Sequence, residues 1–134
     1  MYREAIIEEQ SAEIVVAEGG HDKNSPTCTN YLRSIHDTLD IISGKWKVTI
    51  IGSLSFGKKR FMELQRDVEG IGAKMLSKEL RELEINGLVT RTVYNTKPVT
   101  VEYEITEYGK TLQPIIFEMS KWGTQHRKRI MSKD

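Results

Sequence analysis

The spacing of apolar positions divides the chain into helical and extended stretches. Leu32, Ile35, Leu39 and Ile42 recur at steps of three and four, one face of a helix, and Gly44 is placed to end it. In "KWKVTIIGSL", Trp46, Ile50 and Leu54 stand four apart, which predicts a second helix with Trp46 in the core. "SFGKKR" (residues 55–60) reads as a polar turn. Phe61, Leu64 and Val68 predict a short third helix, and "EGIG" (residues 69–72) a tight turn. Leu76, Leu80 and Leu83 predict a fourth helix over about 73–86, closed by Asn86-Gly87.

The period then drops to two. Val99, Val101, Tyr103 and Ile105 alternate with Thr100, Glu102 and Glu104, and residues 88–94 are β-branched and aromatic. "NTKP" (residues 95–98) joins the two strands into a hairpin. From Thr106, a candidate N-cap, the helical period returns through Leu112, Ile115, Met119, Trp122 and His126. Pro114 lies inside that pattern and predicts a kink or a weak first turn. Two helices joined by a tight turn and followed by a hairpin make a winged helix-turn-helix. The expected fold is therefore mainly α with a small β-hairpin (α+β), ending in a terminal helix. Residues 27–131 would form that domain. Residues 1–26 would be an appendage and linker, with "IVVA" (residues 14–17) docking as a short helix or strand and "GGHDKNSPT" (residues 19–27) as the linker.

Wound at about 100° per residue, the fourth helix sorts its side chains by face. Leu76, Leu80 and Leu83 share an arc of about 60°, the core stripe. Lys74, Ser77, Lys78 and Arg81 lie nearly opposite, within about 100°, while Glu79 and Glu82 occupy another flank. A recognition helix sets its N-terminal residues against bases and phosphates; Lys and Arg neutralise phosphate and Arg can pair bidentately with guanine. Cations near a helix N-terminus oppose its dipole, a mild cost that DNA binding would explain. The same face could equally be an ordinary solvated one. Lys58, Lys59 and Arg60 precede the helix-turn-helix and could grip the DNA backbone, or form a solvated turn. On a wing spanning about 88–105, Arg91 and Lys97 could follow a groove or phosphate strand, with Pro98 stiffening the tip, or Lys97 could be an ordinary hairpin-loop residue. Ile85 lies on the polar face near the helix end and is expected to clear the groove and meet protein.

The charge distribution strengthens this picture where the total does not. Net charge is only +1, yet residues 1–25 carry two cations against six acids, and residues 45–81 carry nine cations against four. A basic middle behind an acidic lead-in suits a local polyanion-binding face, or a stretch this long drifts off neutrality by chance. A length of 134 residues with 38% apolar and 29% charged content fits one folded domain. No apolar run approaches the roughly 20 residues of a membrane span. The acidic N-terminus lacks a signal peptide's apolar centre, and the single cysteine, Cys28, precludes an internal disulfide, so the expected compartment is the cytoplasm.

Enzymatic readings find no constellation. His21, His36 and His126 lack metal-ligand spacing, and Gly70 and Gly72 lack the third glycine and preceding strand of a dinucleotide loop. No P-loop or nucleophile elbow occurs. No catalytic residue, cofactor or metal is expected. The remaining alternative is a winged-helix protein–protein interaction module that does not bind DNA. Trp122 and Met119 read as contacts to a second copy, since a lone helix needs something to bury them against.

"LDIISGKWK" (residues 39–47), residues 59–94, "VEYEITEYGKTL" (residues 101–112) and "WG" (residues 122–123) together closely resemble the HxlR-type transcriptional regulators. These are bacterial winged-helix proteins related to the MarR group. The resemblance covers about residues 35–125, in order and at the expected spacing. It implies a homodimer on double-stranded operator DNA, with no catalysis; a two-fold dimer would present two fourth helices about one turn of DNA apart or a multiple of it, so the expected operator is an inverted repeat. The terminal helices would pair through Leu112, Ile115, Ile116, Met119, Trp122 and His126. It names no effector. Many members carry a cysteine just before the first core helix, and some sense oxidants with it; here Arg33 and Ser34 occupy that place and Cys28 lies upstream. Cys28 is therefore either a redox sensor, if the first helix extends to it, or an inert thiol.

Overall fold

The computed structural model describes residues 26–132, and the readings for residues 1–25 lie outside them. The chain divides into two units, Met1–Ser43 and Gly44–Asp134. A boundary at 26/27 marks where the first helix opens; the compact units part later, after Ser43.

In the first unit, helix α1 spans Pro26–Ile42. It begins early enough to include Cys28. Ile42 is buried, whereas Leu32, Ile35 and Leu39 leave an exposed apolar stripe.

The second unit runs α2 (Lys47–Leu54), β1 (Lys59–Arg60), α3 (Phe61–Asp67), α4 (Ala73–Ile85), β2 (Val89–Tyr94), β3 (Thr100–Ile105), α5 (Glu107–Lys110) and α6 (Gln113–Met131). Its core is aliphatic. Ile50, Ile51 and Leu54 come from α2, Leu64 from α3, and Leu76, Leu80 and Leu83 from α4, closed by Leu88, Val89, Tyr103 and Ile105 of the wing. The three leucines of α4 are essentially inaccessible, and such burial is worth roughly 1.5–3 kcal/mol per side chain. Trp46 is only half-buried: it precedes α2 as its N-cap, and Lys45 Nζ sits 4.8 Å from its ring centroid.

Two elements differ from the sequence reading. Residues 55–60 are not all turn, because Lys59–Arg60 pairs with β3, Lys59 opposite Tyr103 and Arg60 opposite Glu102. The hairpin thereby becomes a three-stranded antiparallel sheet in the order β1-β3-β2. The terminal helical pattern is split. α5 is capped by Thr106, whose Oγ1 accepts from the Gly109 N–H at 2.9 Å, and a new helix begins at Gln113. Pro114 falls in the first turn of α6, where its missing N–H leaves no intrahelical bond unmade.

Local chemistry fixes how α4 meets the wing. Gly87 follows the helix with φ +74°, a left-handed conformation suited to glycine. The Leu88 N–H donates to the Leu83 carbonyl and the Gly87 N–H to the Glu84 carbonyl, the paired bonds of a Schellman stop. Thr106 Oγ1 donates to the Gly87 carbonyl at 2.6 Å, and the Thr106 N–H to the Leu88 carbonyl at 3.0 Å. The end of α4, the wing and α5 are therefore tied at one junction.

Candidate nucleic-acid interface

The helix-turn-helix is α3, the turn over 68–72, and α4. Val68 and Ile71 are buried and anchor the turn, while Gly70 crosses it at φ +92°. Gly72 caps α4 in an extended conformation without a side-chain hydrogen bond, and no acid lies in the first turn of α4. Unmasked N–H groups beside Lys74 favour an anion there.

Lys74, Ser77, Lys78 and Arg81 are all exposed. Among the described residues, no ion pair or hydrogen-bonding side chain engages them. Glu79 and Glu82 of α4 behave differently. Glu79 turns inward beside the leucines and is buried with Lys47 of α2. Lys47 Nζ lies 2.5 Å from Glu79 Oε2 and 2.5 Å from Glu82 Oε2. Burial alone would push the Lys47 ammonium down; hydrogen bonds to Glu79 and Glu82 outweigh it and hold the group above the ordinary lysine value. Glu82 is held below the usual carboxylate range, first by its hydrogen bond from Lys47, then by that lysine's charge and that of Lys78.

The basic run at 58–60 separates on folding. Successive residues of a strand face opposite ways. Lys59 points back into the fold, where it binds Asp67 of α3 and donates to Ser53 Oγ at 3.0 Å. Its ammonium is engaged with protein, and the same contacts keep the Asp67 carboxyl below its usual range. Arg60 remains exposed, and its N–H donates to the Glu63 carboxylate at 2.9 Å, capping α3. Lys58 is exposed, 3.9 Å from Glu102 Oε1.

On the wing, Arg91 and Lys97 are exposed. Thr96 Oγ1 donates to the Pro98 carbonyl at 2.7 Å, and the Lys97–Pro98 peptide is cis. Ile85 is 76% exposed.

None of the side chains of α6 is buried. Leu112, just before the helix, and Ile116 are half-buried; Ile115, Met119, Trp122 and His126 are exposed, with the Trp122 and His126 rings stacked at 4.9 Å. Phe117, Ile130 and Met131, which the sequence reading did not place in this face, are also exposed. A groove of about 620 Å³ between α2 and α6 is lined by Val48, Gly52, Phe56, Ile116 and Phe117. Cys28 lies in the first turn of α1, as a sensor role would require, but its side chain is buried, whereas reactive thiolates sit in partly exposed, electropositive surroundings.

Among the described residues, no helix is long and apolar enough to cross a membrane. The HxlR-like helix-turn-helix family model matches residues 41–131. The HTH-type transcriptional regulator YtcD of Bacillus subtilis (strain 168) is 46% identical over 100 residues, covering 75% of this chain and 79% of its own. Among solved structures, the redox regulator HypR in its reduced form superposes with a TM-score of 0.69 at 44% identity, covering 74% of this chain and 98% of HypR. The crystal structure of YtcD gives a TM-score of 0.67 at 46% identity, over 70% and 96% of the respective chains. The chain belongs to the HxlR-like helix-turn-helix family, DNA-binding transcriptional regulators that are not enzymes.

Proposed function

We propose that the protein is a cytoplasmic homodimer that binds an inverted-repeat operator, with α4 in the major groove. The observation that carries this reading is the outward face of α4. Among the described residues its cations have no ion-pair partner, while Glu79 and Glu82 of the same helix are turned aside to Lys47. Arg81 and Ser77 read base edges, and Lys74 and Lys78 hold phosphates. Lys58 and Arg60 grip the backbone beside α3, and Arg91 and Lys97 follow the strand along the wing. Lys59 is not among these contacts, because Asp67 holds it.

Dimerisation rests on α6. None of the 19 residues of this helix is buried, and Ile115, Phe117, Met119 and Trp122 are exposed, an apolar face of the kind that marks an interaction site. Trp122, 68% exposed, is its largest aromatic anchor.

The test is a titration of genomically selected duplex against salt. Binding should weaken steeply, with a log–log slope of about −0.9 per phosphate neutralised. Arg81→Ala should cost about 1–3 kcal/mol and relax preference at one base position. Lys97→Ala should weaken all duplexes alike. Affinity that ignores salt, or folded variants that bind like wild type, would reject the assignment.

A further inference from the structure

Glu82 stands one turn beyond Lys78 on α4, the spacing at which helix side chains of opposite charge pair. The two charges do interact, since Lys78 helps to depress the Glu82 carboxyl. Yet Glu82 is bound to Lys47, which enters from α2 and also holds the buried Glu79. We propose that Lys47 works as a positioning residue for DNA binding: by drawing the Glu82 carboxylate onto itself, it keeps Lys78 free for phosphate. This inference rests on α4 facing DNA and adds a residue that itself touches none.

The physical argument is one of competition. On the wheel, Glu82 falls between the cationic face and the flank of Glu79, about 40° from Lys78. A carboxylate there has two possible lysine partners. Were it to bind Lys78, a phosphate approaching that lysine would meet a neutralised group with a second anion beside it. Lys47 is well placed to win. It is 8% exposed and held by Glu79, so pairing with Glu82 orders little that is not already ordered, whereas Lys78 is an exposed side chain that would lose its freedom. An arrangement serving stability alone needs only Glu79 as a partner for the buried ammonium. The second carboxylate is what links the pair to the recognition face.

Lys47→Met alone would strand the buried Glu79 carboxylate and endanger the fold. The test therefore uses Lys47→Met with Glu79→Leu, which replaces the buried pair by apolar groups, and the same variant with Glu82→Gln added. Operator binding is titrated against salt for each folded dimer and for wild type. The double variant should bind about tenfold more weakly, with its salt slope smaller by about one per protomer, because Glu82 has turned to Lys78. Adding Glu82→Gln should restore both affinity and slope to near wild type. A role confined to holding the helix in place predicts no such rescue. A double variant that binds like wild type, or a triple variant as weak as the double, overturns the proposal.

A second measurement needs no change in the core. The Glu82 carboxyl midpoint, followed by NMR, should barely move on Lys78→Ala, because Lys47 remains its partner. A large upward move would identify Lys78 as the partner and overturn the proposal equally. Failure of wild type to bind DNA at all would instead remove the functional reading itself.

Discussion

Single residues in this domain act mainly through partners that sequence spacing cannot disclose. Lys47 and Lys59 lie in the basic stretch of residues 45–81, where counting charges alone makes each a cation available to DNA. Folding gives them to Glu79, Glu82 and Asp67 instead. The bond between Lys47 and Glu79 spans 32 residues, and no local pattern encodes it. Its consequence for acidity can be measured. Asp67 and Glu82 have depressed carboxyl values, so their contributions to stability are present above their unfolded values of about 4 and are lost as pH falls through the depressed ones. Lys47 is raised, so its contribution is complete below about pH 10 and is lost as pH rises through its folded value. Urea midpoints should therefore show no dependence on these groups between about pH 5 and 10 and should fall on acidification. Glu82→Gln should flatten the acid limb. Gly109 is a separate matter of space. A Cβ there would meet the Leu88 carbonyl oxygen at 2.3 Å and Ile105 Cγ1 at 2.7 Å. Because one obstacle is backbone, Gly109→Ala should cost about 2–3 kcal/mol in urea unfolding, although nothing in the local sequence marks Gly109 as a close approach.

Elements were legible where their signals are local. The leucine stripe of α4, its Asn86-Gly87 stop, the hairpin and the Thr106 cap each depend on residues within a few positions of one another and each forms, although Val99, read as the first inward position of the second strand, lies just before β3 and is exposed. β1 was illegible because two residues carry no period; it exists only through pairing with distant β3. The break before α6 was half legible: Pro114 marks it, but spacing cannot distinguish a kink from a new start. α4 also leaves stabilising devices unused at its N-terminal end. Its N-cap is Gly72, around which no atom within 4 Å would meet an added Cβ, and its first turn holds no acid. Gly72→Asp should supply the missing cap and favour the helix dipole, raising stability by about 0.5 kcal/mol. The same carboxylate would sit where phosphate is proposed to approach. The variant should thus melt higher and bind operator more weakly, a divergence that calorimetry and a binding titration would reveal together. Equal or tighter binding would count against the N-terminal end of α4 lying on the DNA.

At the scale of the whole molecule, the winged-helix unit has a complete core but an incomplete surface. Its aliphatic centre is closed by α2, α3, α4 and the wing, while α6 contributes no buried side chain and leaves Phe117, Met119, Trp122 and Ile130 exposed. The periodicity of α6 announces an apolar face, but a single chain carries no mark of what covers it. A second copy is the economical answer, because two-fold pairing lets one helix face cover itself. Such a dimer would also double the DNA contacts. Each protomer would bind its half-site as part of one body, and the second half-site would be met at high effective concentration. Trp122→Lys places a charge at the centre of the proposed contact and leaves the core of the winged-helix unit untouched. The variant should remain folded, sediment as a monomer at micromolar concentration where wild type is a dimer, and lose operator affinity by at least about 100-fold. Its affinity for a single half-site should stay close to that of one wild-type protomer, since α4 and the wing are unchanged. In the operator, the half-site centres should lie about one helical turn, or a multiple, apart. Inserting about five base pairs between them turns one half-site to the far side of the duplex and should cost wild type nearly as much as Trp122→Lys does, while leaving the monomeric variant indifferent.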